Sequence, residues 1–177
     1  MTFNYADLIA GAEVQSSSRY FEQGTYLVQI DACKVFHNRQ RRPRAAVECT
    51  VIKSNNSSLP ATTSASWVVS LDSDSGPGNL KTFITDIFGC SKSDASDSAK
   101  VNAIFPMEDS TTPSIAVGLQ AIVNAYEKPT KAGGVFTRVL WKKFDSKTDE
   151  LPEFTPLTPS VSPEAPSSAP DADPIPF

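Results

Sequence analysis

Gly24-Thr25-Tyr26-Leu27-Val28-Gln29-Ile30-Asp31-Ala32-Cys33-Lys34-Val35-Phe36 is the stretch that decides the fold. Its residues alternate: Tyr26, Val28, Ile30 and Ala32 point one way, Leu27, Gln29, Asp31 and Cys33 the other. A period of two belongs to a strand, and an apolar face of this length must be covered by other elements. Gly24 breaks the chain just before it.

Further strands follow on the C-terminal side. Ala45 to Lys53 places Val47, Cys49 and Val51 on one face, and Ser64 to Leu71 carries Trp67, Val68 and Val69. The Ser/Gly loop Asp72-Ser73-Asp74-Ser75-Gly76-Pro77-Gly78 ends the third strand. The period then changes. Leu80, Phe83, Ile84, Ile87 and Phe88 share one helical face, with Asn79 as the expected cap and Gly89 past the end. A weaker helix is expected over Asp94 to Ile104, and a short one over Tyr5 to Val14. Strands return at Ile115 to Glu127 and Val135 to Phe144.

This order predicts a mainly β chain. It is that of an OB fold, a five-stranded antiparallel barrel, with its helical insert between strands three and four. Six-stranded variants and other antiparallel barrels or sandwiches share the order.

The chain has 177 residues, enough for one domain, and 40% of them are hydrophobic, enough for a real core. No run approaches the ~18 apolar residues of a membrane span, so no membrane contact is expected. The N-terminus lacks the pattern of a signal peptide. Three cysteines, an odd number, fit a reducing compartment. The expected location is the cytoplasm, or the host cell cytoplasm if a phage encodes the chain. No two cysteines stand at CxxC spacing, and no motif asks for a cofactor or metal.

Composition changes at Leu151. Residues 151–177 hold 8 of the 14 prolines and four acids, with no Lys or Arg. Proline lacks an amide donor, so this segment is expected to be a disordered tail. Residues 1–150 are expected to form the folded domain. They balance all 16 cations with the other 16 acids, so the tail carries the whole net charge of −4.

Cations also cluster within the domain. Arg39, Arg41, Arg42 and Arg44 crowd the first hairpin loop, with Lys34 before them and Lys53 after. Arginine forks match phosphate oxygens. Lys128 and Lys131 fall in the last hairpin loop, Lys128-Pro129-Thr130-Lys131-Ala132-Gly133-Gly134. In an OB barrel these two loops flank the binding face. In the last strand, Phe136, Arg138, Leu140, Lys142 and Phe144 share one face, with Val135, Val139 and Trp141 opposite. Cations beside rings suit single-stranded nucleic acid, whose phosphates they neutralise and whose bases they stack. Phe36, Trp67, Tyr26 and Tyr126 are further stacking candidates. The alternative reading puts the rings in the core and the charges in water.

The chain closes Asp171-Ala172-Asp173-Pro174-Ile175-Pro176-Phe177. Ile175 and the Phe177 ring suit an apolar pocket, the two aspartates suit its basic rim, and Pro174 and Pro176 keep the peptide extended. This ending resembles that of bacterial single-stranded DNA-binding proteins, whose mobile linker leads to an acidic tip closing in Ile-Pro-Phe. Here Pro174 stands where that family has an acid. The body, with Gly24-Thr25-Tyr26-Leu27-Val28-Gln29-Ile30 and its long helical insert, looks more like an OB-fold single-stranded DNA-binding protein of a bacteriophage. The resemblance implies sequence-independent coating and protection of single-stranded DNA in replication, recombination or repair. It also implies that the tip recruits partner proteins of those processes.

Two rival readings are a protein-interaction adaptor whose barrel binds a polypeptide, and a small nuclease drawing on Asp72, Asp74 and Asp86.

Overall fold

The computed structural model describes residues 19–130 and 133–157. Six strands lie in one curled sheet: β1 (Arg19–Tyr20), β2 (Gly24–His37), β3 (Pro43–Ser54), β4 (Ser64–Ser70), β5 (Gln120–Pro129) and β6 (Val135–Phe144). Helices α1 (Gly76–Phe88) and α2 (Ser98–Ile104), with a 3₁₀ turn between them, fill the gap between β4 and β5. The expected helical insert is therefore present. The order across the sheet is β1-β4-β3-β2-β5-β6. Every pair is antiparallel except β1 with β4.

The sheet is thus six-stranded and mixed, where the pattern predicted five antiparallel strands. The extra strand is two residues long and too short to alternate. It is placed by the buried Phe21 beside it, whose amide donates to Ser66 O at 3.4 Å. The helix expected over Tyr5 to Val14 lies outside the described residues.

β2 organises the sheet, because it serves two partners on one edge. Gly24 to Gln29 pair with β5. Farther along, Val35 takes over that edge with the segment after α2, donating to Pro106 O and accepting from Glu108 N, both at 2.9 Å. The register with β3 shifts between Leu27 and Val28 and again between Ile30 and Ala32. The second shift overturns part of the expected alternation. Tyr26, Val28 and Ile30 are buried as predicted, but beyond the bulge Cys33 faces the core in place of Ala32. One extra residue reverses the faces of all that follow it and sharpens the bend of the strand.

α1 buries Leu80, Phe83, Ile84 and Ile87 against the concave side, as its spacing requires. It starts three residues before Asn79, because Pro77 fits a first turn whose amides lack partners anyway. Gly89 closes it at φ 61°, donating to Thr85 O at 2.9 Å. β5 starts at Gln120, later than the expected Ile115. Gly118 at φ 84° turns the chain there, and Ser114 is buried with its hydroxyl bonded to Ile104 O.

A smaller cluster lies on the opposite face of the sheet. Leu27, Ile122 and Phe144 are buried there under Phe154, and Leu157 N donates to Asn55 O at 3.2 Å. The first residues of the proline-rich segment therefore lie against the sheet. Among the described residues no helix is long and apolar enough to cross a membrane.

Cys33 and Cys49 are buried and Cys90 half-buried. Burial pushes the Cys33 thiol up to about 12 and Cys49 well above the ordinary thiol range. The thiolate is the reactive form. At pH 8, Ellman's reagent should titrate at most Cys90 in native protein and all three thiols after denaturation. Prompt reaction of Cys33 or Cys49 would contradict this packing.

Candidate nucleic-acid interface

The loop between β2 and β3 is built around Asn38. Its side-chain oxygen accepts from the amides of Gln40 and Arg42, each at 3.0 Å. Its backbone closes the turn, donating to Arg42 O at 3.0 Å and accepting from Arg41 N at 2.8 Å. Arg39, Arg41 and Arg42 are exposed around this frame. Arg41 has φ 58°, a left-handed conformation that costs a residue with a Cβ roughly 1–2 kcal/mol. Arg44 is half-buried in β3, in register with Phe36 on one side and Ser70 on the other.

Some of the expected cations already have partners. Lys34 Nζ sits 3.0 Å from Glu48 and 4.0 Å from Glu108, so two acids offset its charge. Arg42 lies 3.7 Å from Asp72. The Ser70 hydroxyl, and then Arg44 and Arg42, hold the Asp72 carboxyl below its ordinary range. Arg39, Arg41 and Arg44 form no ion pair with described residues. Phe36 is half-buried and lines an open groove with His37, Met107, Glu108 and Asp109, so acids border that ring.

The second feature is a seam. β4 and β6 flank the open side of the curl, and α1 packs against both. No backbone ladder joins them. Aromatic rings do: Trp67 of β4 lies 5.7 Å from Trp141 of β6, and Phe83 of α1 lies 5.7 Å from Trp67 and 5.0 Å from Trp141. Above this contact a cleft of ≈ 300 Å³ opens, lined by Trp67, Ser70, Ser73, Asn79, Phe136 and Arg138 among others. Gly76 belongs to its wall. A Cβ there would stand 1.6 Å from Ser70 O, so only glycine permits the approach of α1 to β4.

The outward face of the β5–β6 hairpin completes the surface. Tyr126 pairs with Arg138 and Lys128 with Phe136 in register, all exposed. Leu140 and Lys142 continue that face. The structure thus brings Trp67, Phe136 and Arg138 to one cleft, with Tyr126 and Lys128 beside Arg138 and Phe136 on the sheet.

It sets three other candidates apart from that surface. Phe144 is buried beneath Phe154 and has no face for a base. The Lys53 ammonium lies 5.0 Å above the Phe154 ring rather than beside the arginine loop. Tyr26 is wholly buried, its hydroxyl donating to Glu22 O at 2.9 Å, and burial pushes its pKa up to about 12. Lys131, Asp171, Asp173, Ile175, Pro176 and Phe177 lie outside the described residues.

Ser70, Ser73, Gly76 and Asn79 were not among the expected site residues: the sequence places Ser70 in a strand, Ser73 and Gly76 in the loop that ends it, and Asn79 at a helix cap. The loop's density of small residues before a helix was the available signal. No protein-family model and no curated protein matches the chain.

Two substitutions test the local geometry by thermal melts. Gly76→Ala should destabilise the fold by about 1–3 kcal/mol, against the usual helix preference for alanine, because backbone cannot move aside cheaply. Arg41→Gly should stabilise it by about 0.5–1 kcal/mol through relief of the left-handed φ.

Proposed function

We propose that this chain binds and protects single-stranded DNA without sequence preference, and that it is not an enzyme. The observation that carries this reading is the meeting of Trp67, Phe136 and Arg138 at one seam. Exposed Arg39, Arg41 and Arg42 stand on one neighbouring hairpin, and Tyr126 and Lys128 on another. Cations neutralise phosphates, and rings stack on bases at roughly 1–3 kcal/mol per base whatever their identity.

The finer fold reading belongs to the same proposal. With β1 set aside, the order β4-β3-β2-β5-β6 is that of an OB barrel opened between its third and fifth strands. The loops β2–β3 and β5–β6 are then the two that flank an OB binding face. Arg41 supports the reading as well. A long cation occupies a strained position where Asn or Gly costs less, and such strain gathers at functional sites. Residues 158–177 would serve a second task, with Asp171, Asp173, Ile175, Pro176 and Phe177 docking on proteins of replication, recombination or repair.

Anisotropy of labelled (dT)15 at two salt concentrations is the direct test. Binding should fall steeply with salt, by a slope of about 0.7 per neutralised phosphate on single strands. Arg41→Glu combined with Arg42→Glu should weaken binding at least about tenfold and flatten that slope. If the double variant binds DNA as before, the adaptor reading gains instead. Asp72→Asn should tighten binding about two- to fivefold, because it releases Arg42 and removes a negative charge from the path.

Removing Ile175 to Phe177 should leave (dT)15 affinity intact and abolish pull-down of replication proteins. Loss of DNA binding on that deletion would contradict the division of labour.

A further inference from the structure

We propose that this chain pairs with a second copy of itself through the end of β2, each copy setting Arg39 and Arg41 against the groove that Glu108 and Asp109 border on the other. The pairing stands apart from the single-stranded DNA reading. One consequence of it, competition with DNA for the two arginines, rests on that reading.

Charge argues first. Arg39 and Arg41 are exposed and form no ion pair with described residues. Asp109 is exposed and equally unpaired among the described residues. Glu108 reaches only Lys34, at 4.0 Å, and Glu48 already holds that ammonium at 3.0 Å. The loop leaves the very strand whose last residues, Val35, Phe36 and His37, form one wall of the groove. Cations and acids thus stand side by side without meeting inside one molecule. A foreign partner of one sign would satisfy one half of this surface and be repelled by the other. A two-fold axis between loop and groove joins each half to its complement, which is what an isologous interface requires.

Rigidity argues second. Val35 donates to Pro106 O and accepts from Glu108 N, both at 2.9 Å, so the acid-bearing segment is tied to β2. Ser110 N donates to Met107 O at 2.9 Å and closes the turn that carries Asp109. Opposite it, Asn38 fixes the arginine loop. Both halves are held before they meet, so little ordering opposes association.

Apolar surface argues third. The groove, of ≈ 330 Å³, is lined by Phe36 and by Met107, which is 49% exposed. Met107 also borders a second groove of ≈ 430 Å³ with Ala103, Pro106 and Pro113. Exposed ion pairs contribute little alone, and an adaptable thioether between two grooves adds contact that they lack. Association resting on exposed charges is weak, reversible and sensitive to salt. Under the DNA reading, phosphates claim the same arginines. DNA and the second copy then oppose one another by linkage.

Sedimentation velocity of the full chain without DNA tests the pairing. At low salt the mass should rise with concentration toward twice that of the 19.0 kDa chain. Raising salt from about 50 to about 300 mM should weaken dimerisation at least about fivefold. Glu108→Lys with Asp109→Lys should stay monomeric, and so should Arg39→Glu with Arg41→Glu. Their equimolar mixture should regain the dimer, because one contact is then native and the other has its signs exchanged. Glu108→Gln with Asp109→Asn, close in shape and at exposed positions, should weaken dimerisation at least about threefold and serves if a reversal fails to fold. Saturating (dT)8, too short to bridge two protomers, should return the unmutated protein to monomer.

A monomer at every concentration overturns the pairing. So does a mixture without rescue. A dimer indifferent to both acid variants but lost with the arginine variant assigns the arginines to another occupant, such as residues 158–177, and likewise overturns it. A dimer that obeys the charge exchange in a protein that binds no oligonucleotide ends the DNA reading and leaves the pairing standing. A dimer that persists in saturating (dT)8 overturns the competition.

Discussion

Trp67 and Trp141 meet 5.7 Å apart where two strands approach without a shared ladder, and Phe83 packs against both. The rest of the arrangement depends on this contact. A curled sheet with two unpaired edges gains nothing from hydrogen bonds across its gap, so side chains must hold the edges together. Large rings suit the task, because each buries extensive apolar area and tolerates tilted or edge-on geometry. Trp141 Nε1 is buried with no hydrogen-bond partner among the described residues. Ring closure also leaves space that a ladder would have filled. The cleft above Trp67 is that space, so the device that completes the core creates the candidate site.

Charge follows a similar logic of local against average. The described cations do not act equally. Lys34 is held between Glu48 and Glu108, and Lys53 lies over Phe154, so neither extends the arginine cluster. Arg39 and Arg41 remain exposed on a loop whose shape is fixed by a single asparagine. Arg42 is held only loosely by an exposed acid, because solvent screens such a pair. A net charge of −4 therefore says little about the field near that loop, which depends on which cations have found partners.

The extent to which the sequence was legible differs between elements. The helix face of Leu80, Phe83, Ile84 and Ile87 and the span Val135–Phe144 follow from spacing alone, since each depends on neighbours a few residues away. The first half of β2 follows for the same reason. Its second half does not, because a bulge is a compromise between β2 and the strand it pairs with, and no alternation records it. Arg19–Tyr20 was equally hidden, as its place comes from Phe21 and Ser66 rather than from any preference of its own.

By itself, then, the sequence determined the types of the longer described elements, the separation of a cation-free proline-rich segment from a balanced body, and the concentration of arginines in one hairpin. These are properties of composition and of short-range periodicity. Only the tertiary structure decided which rings are available. Phe144 and Phe136 stand on the same strand face, yet one lies under Phe154 and the other lines a cleft. It also decided that a Ser/Gly loop, through Gly76, becomes one wall of that cleft. The reason is physical. Exposure and proximity arise from segments far apart in the chain, packed at distances that local preference does not encode.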